Sequence, residues 1–155
     1  MEDLKDLYRE IILDHSKSPR NFGKISPCTH EGHGDNPLCG DEVSLYLRLG
    51  EDETLADVGF EGKGCAISIA SASMMTELVK GTSCADAKSR FQQFLTLFSD
   101  DSAQSHSDID DRMKALIGVK QFPMRVKCAT LPWHALNAAL SGIKSKDDGE
   151  TKDGC

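Results

Sequence analysis

Apolar residues along this chain change their spacing twice, and each change marks a change of structure. Leu4, Leu7, Tyr8 and Ile11 recur three or four residues apart, which predicts an amphipathic helix from residue 2 to about residue 15. Ser18-Pro19-Arg20-Asn21-Phe22-Gly23 breaks it. The period then falls to two. Val43, Leu45, Leu47 and Leu49 alternate with Ser44, Tyr46 and Arg48, as in a half-buried strand. Gly50-Glu51-Asp52 is a turn. Residues 54–61 form a second strand with Val58 and Phe60 on one face, and a weaker strand runs over 29–35. After Cys65 the helical period returns through Ile67, Ala70, Met74 and Leu78, closed by Gly81. Ser83 with Asp86 caps a further helix whose stripe is Ala87, Phe91, Phe94 and Phe98. Thr130 and Pro132 open a last helix, with Trp133, Leu136, Leu140 and Ile143 facing inward.

Two stretches have no period. Residues 99–111 hold five aspartates and no apolar face, which reads as a mobile loop. From Lys144 to Cys155 apolar residues almost vanish, which reads as a disordered tail. Strands grouped together and helices grouped together predict an α+β fold. The expected architecture is a small three-stranded antiparallel sheet with helices packed on one face, in a single domain over residues 1–143.

Composition narrows the function. The chain has 155 residues, 39% of them hydrophobic, enough for one core. A formal charge of −7 speaks against a nucleic-acid partner. Met1-Glu2-Asp3-Leu4-Lys5-Asp6 is charged where a secretion signal would be apolar, and no apolar run reaches bilayer length. A cytoplasmic protein with no membrane partner is expected. Six cysteines could form three disulfides, but such frameworks belong to small secreted chains, so reduced thiols are expected instead.

Three of these cysteines stand out. Cys39 and Asp41 flank Gly40, Cys65 follows Gly64 where a strand gives way to a helix, and Cys128 comes just before the last predicted helix. The glycines free the backbone to turn and expose the thiols, and a helix N-terminus favours thiolate over thiol at Cys65 and Cys128. Three thiolates and a carboxylate can complete a tetrahedral zinc site or cup an iron–sulfur cluster. Taken alone, each cysteine could equally be a small apolar core residue, and Asp41 a solvated turn residue. Cys28, Cys84 and Cys155 carry no site signal. His15, His30, His33, His106 and His134 are ligands by type, yet none adjoins a motif cysteine. Solvated or capping roles are expected for them, with His30 and His33 as outside candidates.

Four segments carry a resemblance. Asn36-Pro37-Leu38-Cys39-Gly40-Asp41, Gly62-Lys63-Gly64-Cys65-Ala66-Ile67-Ser68, Ala70-Ser71-Ala72-Ser73-Met74-Met75 and Lys127-Cys128-Ala129-Thr130-Leu131-Pro132-Trp133 resemble the U-type iron–sulfur cluster assembly proteins. The likeness runs from about Leu4 to about Ile143. Within that family the chain is similar to the SufU branch more than to the IscU scaffolds. Lys127 stands where the scaffolds carry a histidine. Gln121-Phe122-Pro123-Met124-Arg125-Val126-Lys127 keeps one proline of a Pro-rich segment that a chaperone reads in the scaffolds. The 63 positions from Cys65 to Cys128 also exceed the scaffold spacing.

The resemblance implies the same α+β fold and a zinc ion held by Cys39, Asp41, Cys65 and Cys128. It implies a sulfur relay whose partner is a pyridoxal-phosphate-dependent cysteine desulfurase of SufS type. Cys39 would accept the persulfide sulfur, and downstream iron–sulfur assembly or apo-proteins would receive it. Lys127 cannot ligate a metal but favours a nearby thiolate or persulfide. The competing implication is a scaffold that builds a [2Fe–2S] cluster on the same residues and transfers it to apo-proteins. A closed structural zinc site is a third reading, against which the carboxylate ligand weighs.

Overall fold

A computed structural model describes residues 2–37, 40–99 and 110–143. Helix α1 (Glu2–Lys17) leads into three strands, β1 (His30–Asn36), β2 (Asp41–Leu49) and β3 (Leu55–Lys63). Helices α2 (Ala66–Val79), α3 (Cys84–Ser99), α4 (Asp111–Ile117) and α5 (Pro123–Ile143) follow. The strands form an antiparallel meander in the order β1-β2-β3, with Gly32 opposite Leu45 and Leu45 opposite Phe60. The two-residue period puts Val43, Leu45, Leu47, Val58 and Phe60 into one core with the helices. Helix α5 lies across β1 and β2. It can do so because β1 carries Gly32, where a Cβ would meet the backbone of Ala135 and Ala139.

Helix α2 is the centre of the molecule. Ser68, Ala70–Thr76, Leu78 and Val79 are all buried, so it is enclosed on nearly every side. Small residues let α1 and α5 approach it, and its buried hydroxyls must then find partners. Ser71 Oγ donates to the Ala129 carbonyl at 2.6 Å and accepts from Trp133 Nε1 at 3.1 Å. Trp133 in turn stacks on Phe94 of α3, ring centroids 4.3 Å apart.

The predicted architecture is the observed one, and the cap of α3 forms as expected, with Ser83 Oγ accepting from the Asp86 N–H at 3.0 Å. Three expectations fail. Helix α4 has no counterpart in the sequence reading, because seven residues are too few to show a period. Asp110 is its N-cap rather than a free loop residue: the Asp110 carboxylate accepts from the Arg112 N–H at 2.8 Å and grips the Arg112 guanidinium. Of the predicted loop, residues 100–109 lie outside the described residues, as do residues 144–155 of the predicted tail. The last helix opens at Pro123, seven residues before Thr130. The missing N–H of Pro123 suits a first helical position, while Pro132 sits inside the helix.

The third failure is His15, which is neither solvated nor a cap. It is buried, with Nδ1 2.7 Å from Ser73 Oγ and Nε2 3.7 Å from Glu77. Burial, aided by Arg20 and Arg112 and opposed by Glu77 and Asp14, holds its pKa below the ordinary value near 6.5. The folded protein therefore keeps His15 neutral while the unfolded chain takes a proton. Stability from this residue is complete above about pH 6.5 and falls as acid lowers the pH toward the depressed folded value. Melting of the metal-free protein from pH 7.5 to 5.5 should show that fall, and His15→Gln should flatten it. Equal slopes in the two proteins would contradict the assignment.

Candidate metal centre

The end of the β1–β2 hairpin, the end of β3 and the second turn of α5 meet at one point. Gly40, with φ of +77°, turns the chain into β2, whose first residue is Asp41. Asp41 is fully buried. One carboxylate oxygen accepts from the Cys65 N–H at 2.9 Å, and the other lies 3.6 Å from Cys65 Sγ. This approach depends on Gly64, which has φ of +149° and whose absent Cβ would collide with the Asp41 carboxylate. Cys65 is the N-cap of α2 but does not spend its side chain on capping. Its sulfur thus keeps the favourable field of the helix N-terminus that the sequence suggested.

Cys128 differs from expectation. It is the sixth residue of α5, buried, and beyond the helix's first turn, so the N-terminal field is not what acts on it. Its Sγ points along its own helix to the Met124 carbonyl at 4.0 Å. The positive charge nearby is that of Arg125, one turn earlier on α5, whose guanidinium interacts electrostatically with Cys65 and Cys128. The charge of Cys65 foremost, then Cys128, pushes the Arg125 pKa up. Sequence reasoning gave this role to Lys127. Adjacent helical residues point about 100° apart, so with Cys128 turned inward Lys127 faces outward and is exposed. The signal for Arg125 was its i, i+3 spacing from Cys128, meaningful only once α5 is known to start at Pro123.

Asp41, Cys65 and Cys128 each present a ligand atom within 4.8 Å of the others. Zinc–sulfur and zinc–oxygen bonds of about 2.3 and 2.1 Å at tetrahedral angles place such donors roughly 3.6 Å apart. The Cys65–Asp41 separation of 3.6 Å fits that edge. A fully buried carboxylate with one oxygen turned to a thiol is also an arrangement that a cation completes. Cys39 lies outside the described residues, two positions before Asp41.

The outside candidates do not join this group. His33 Nδ1 is 2.8 Å from Ser44 Oγ and His30 Nδ1 is 3.0 Å from Thr29 Oγ1. His134 packs edge-on against Phe91, and His106 is outside the described residues. Cys84 is a core residue as expected. Cys65, Cys84 and Cys128 are not in disulfides, whereas Cys28 is disulfide-bonded, so the expectation of reduced thiols fails at that position. Beside Cys65 opens a cleft of about 980 Å³, walled by Ile12, Leu13, Val119 and the exposed Phe122 and Met124, with Arg9 at its side. No described helix is long and apolar enough to cross a membrane.

A three-stranded meander under five helices, with thiol and carboxylate donors gathered at one point, defines a domain of the U-type assembly class. The chain belongs to the NifU-like N terminal domain family, whose model it matches over residues 7–147. It is 40% identical to the zinc-dependent sulfurtransferase SufU of Bacillus subtilis (strain 168), over 95% of this chain and 96% of that protein. It is 36% identical to the iron–sulfur cluster assembly scaffold protein IscU of Streptococcus pyogenes serotype M1, over 90% and 86%. The crystal structure of FiSufU from thermophilic Fervidobacterium islandicum AW-1 superposes with a TM-score of 0.77 at 36% identity, covering 84% of this chain and 94% of that one.

The two glycines separate backbone strain from close approach. Gly40→Ala meets nothing within 4 Å and should cost only the positive φ, about 1 kcal/mol. Gly64→Ala must also push Asp41 aside and should cost about 3 kcal/mol in all. Denaturant unfolding of the metal-free variants measures both, and equal losses would refute the Asp41 contact.

Proposed function

We propose that this protein is a zinc-dependent sulfur acceptor and relay of the SufU type. It takes sulfur from the persulfide of a pyridoxal-phosphate-dependent cysteine desulfurase and passes it toward iron–sulfur assembly. The observation that carries this reading is the convergence of Asp41, Cys65 and Cys128, each offering a ligand atom within 4.8 Å of the others. The relative in Bacillus subtilis, named a zinc-dependent sulfurtransferase, supports it. Cys39, Asp41, Cys65 and Cys128 would hold the zinc, with Cys39 brought near by its two-residue separation from Asp41. When bound, zinc keeps its ligand sulfurs as thiolates and ties three chain segments together.

The chain's own residues then divide the work. The Cys65 N–H fixes the Asp41 carboxylate. The Arg125 guanidinium balances negative charge on sulfur without itself giving up a proton. Cys39, as thiolate, attacks the terminal sulfur of the donor's persulfide. The donor's sulfur–sulfur bond breaks, its cysteine leaves as thiolate, and Cys39 becomes the persulfide. The exposed Phe122 and Met124 beside the centre supply apolar surface for the donor to cover. The rival scaffold reading draws on the similarity to IscU proteins, and soft thiolates suit either cargo.

Purified protein should hold one zinc per chain, raise the turnover of its cysteine desulfurase, and stay colourless on anaerobic reconstitution with iron and sulfide. Cys39→Ala should abolish the rise in turnover. A stable [2Fe–2S] chromophore that transfers to an apo-ferredoxin would instead establish the scaffold. Arg125→Ala should slow sulfur acceptance roughly tenfold, while Lys127→Ala leaves it near wild type. The reverse order would return the cationic role to Lys127.

A further inference from the structure

Ser68, in the first turn of α2, is fully buried, and its Oγ makes no hydrogen bond among the described residues. Leaving a buried hydroxyl unsatisfied costs about 1–3 kcal/mol, and a helical serine can usually avoid it by bonding a carbonyl one turn back. The residues on its own face indicate what it looks toward. Positions three apart on a helix share a face, so Cys65, Ser68 and Ser71 form one row, each about 4.5 Å along the axis from the next. Both ends of that row reach consecutive residues of α5. The ligand atom of Cys65 lies within 4.8 Å of that of Cys128, and Ser71 Oγ bonds the Ala129 carbonyl. Ser68 stands between them, and a helical side chain leans toward its helix's N-terminus, here the Cys65 end.

We propose that Ser68 is a positioning residue for the sulfur of Cys128, donating its hydroxyl hydrogen to that sulfur when zinc is bound. The inference rests on the zinc reading above. As a thiol, Cys128 is a weak acceptor and directs its own hydrogen to Met124, so the Ser68 hydroxyl has nothing to bond. As a thiolate, Cys128 only accepts, and the Ser68 hydroxyl, which turns about its own side-chain bond between staggered positions, is the donor offered to it. The buried orphan of the thiol state is then satisfied in the metal-bound state. A hydrogen bond to a ligand sulfur fixes its direction, which is the part that residues behind a metal's ligands ordinarily play.

Three full-length proteins test this: wild type, Ser68→Ala and Ser68→Cys. Zinc affinity is read by chelator competition, the cobalt(II)-substituted form by its sulfur-to-metal charge-transfer band, and the metal-free form by its melting temperature. Ser68→Ala should weaken zinc binding by about tenfold, shift the cobalt band, and melt no lower than wild type when metal-free, since an unsatisfied group has been removed. Ser68→Cys, a weak donor of similar size, should recover part of the affinity. Wild-type affinity with an unchanged cobalt band in Ser68→Ala would overturn the proposal and assign the hydroxyl to a buried water. A lowered metal-free melting temperature in Ser68→Ala that matches its loss of affinity would overturn it too, in favour of a purely structural role. Failure of the wild type to bind zinc would overturn both this inference and the preceding reading, whereas equal affinities overturn this one alone.

Discussion

The hydroxyl of Ser71 donates to the Ala129 carbonyl and accepts from the Trp133 indole, and the separation of Cys65 from Cys128 follows from that pair of bonds. Cys65 caps α2 and Cys128 rides on α5, so the two sulfurs approach only as closely as the helices do. In a fully buried setting neither bond can be exchanged for water, which makes the register between the helices costly to change. Stacking of Trp133 on Phe94 carries the same constraint into α3. The small residues of α2 are therefore part of the site's construction. Ala70 and Ala72 leave room for neighbouring helices, and Ser71 uses that room to bond one of them.

The third donor reaches the centre by a different route. Asp41 is held by strand pairing, at the foot of the β1–β2 hairpin opposite Asn36, and its carboxylate meets the N-terminus of α2 across Gly64. A negative charge without solvent needs compensation. It finds the Cys65 N–H and the partial charge of α2, while the Arg125 guanidinium interacts electrostatically with the two cysteines. The centre thus gathers two thiols, a carboxylate and a guanidinium from three separate segments. Asp41, Cys65 and Cys128 could hold a metal ion there, while apolar Phe122 and Met124 stand exposed beside Cys65.

A good deal of this was legible in the residues. The two-residue period of Val43 to Leu49 and the helical stripe of Ala87, Phe91 and Phe94 depend only on which side chains avoid water. The same elements appear in the structure. Gly40 and Gly64 marked positions needing unusual backbone, and both have positive φ. The start of α5 was not legible, because Pro123 and Pro132 are both admissible first residues and local pattern cannot rank them. With the helix opening at Pro123, Cys128 lies in its second turn, and Arg125 as well as Lys127 becomes a cation to consider beside it. His15 was misjudged for a related reason: its burial comes from α2 and α4 closing over it, and no spacing within α1 foretells that.

What the sequence by itself determined is the three strands, the helices other than α4, the candidate donors and the glycine joints beside them, since period, residue type and glycine placement are properties of the local chain. Tertiary structure alone decided which donors meet, which cation faces them and which hydroxyl is left without a partner. Those outcomes depend on the approach of α5 to α2, set by close packing and buried hydrogen bonds between residues about 60 positions apart. Spacing along the chain carries no information about contacts of that range, so they had to be found in the folded molecule.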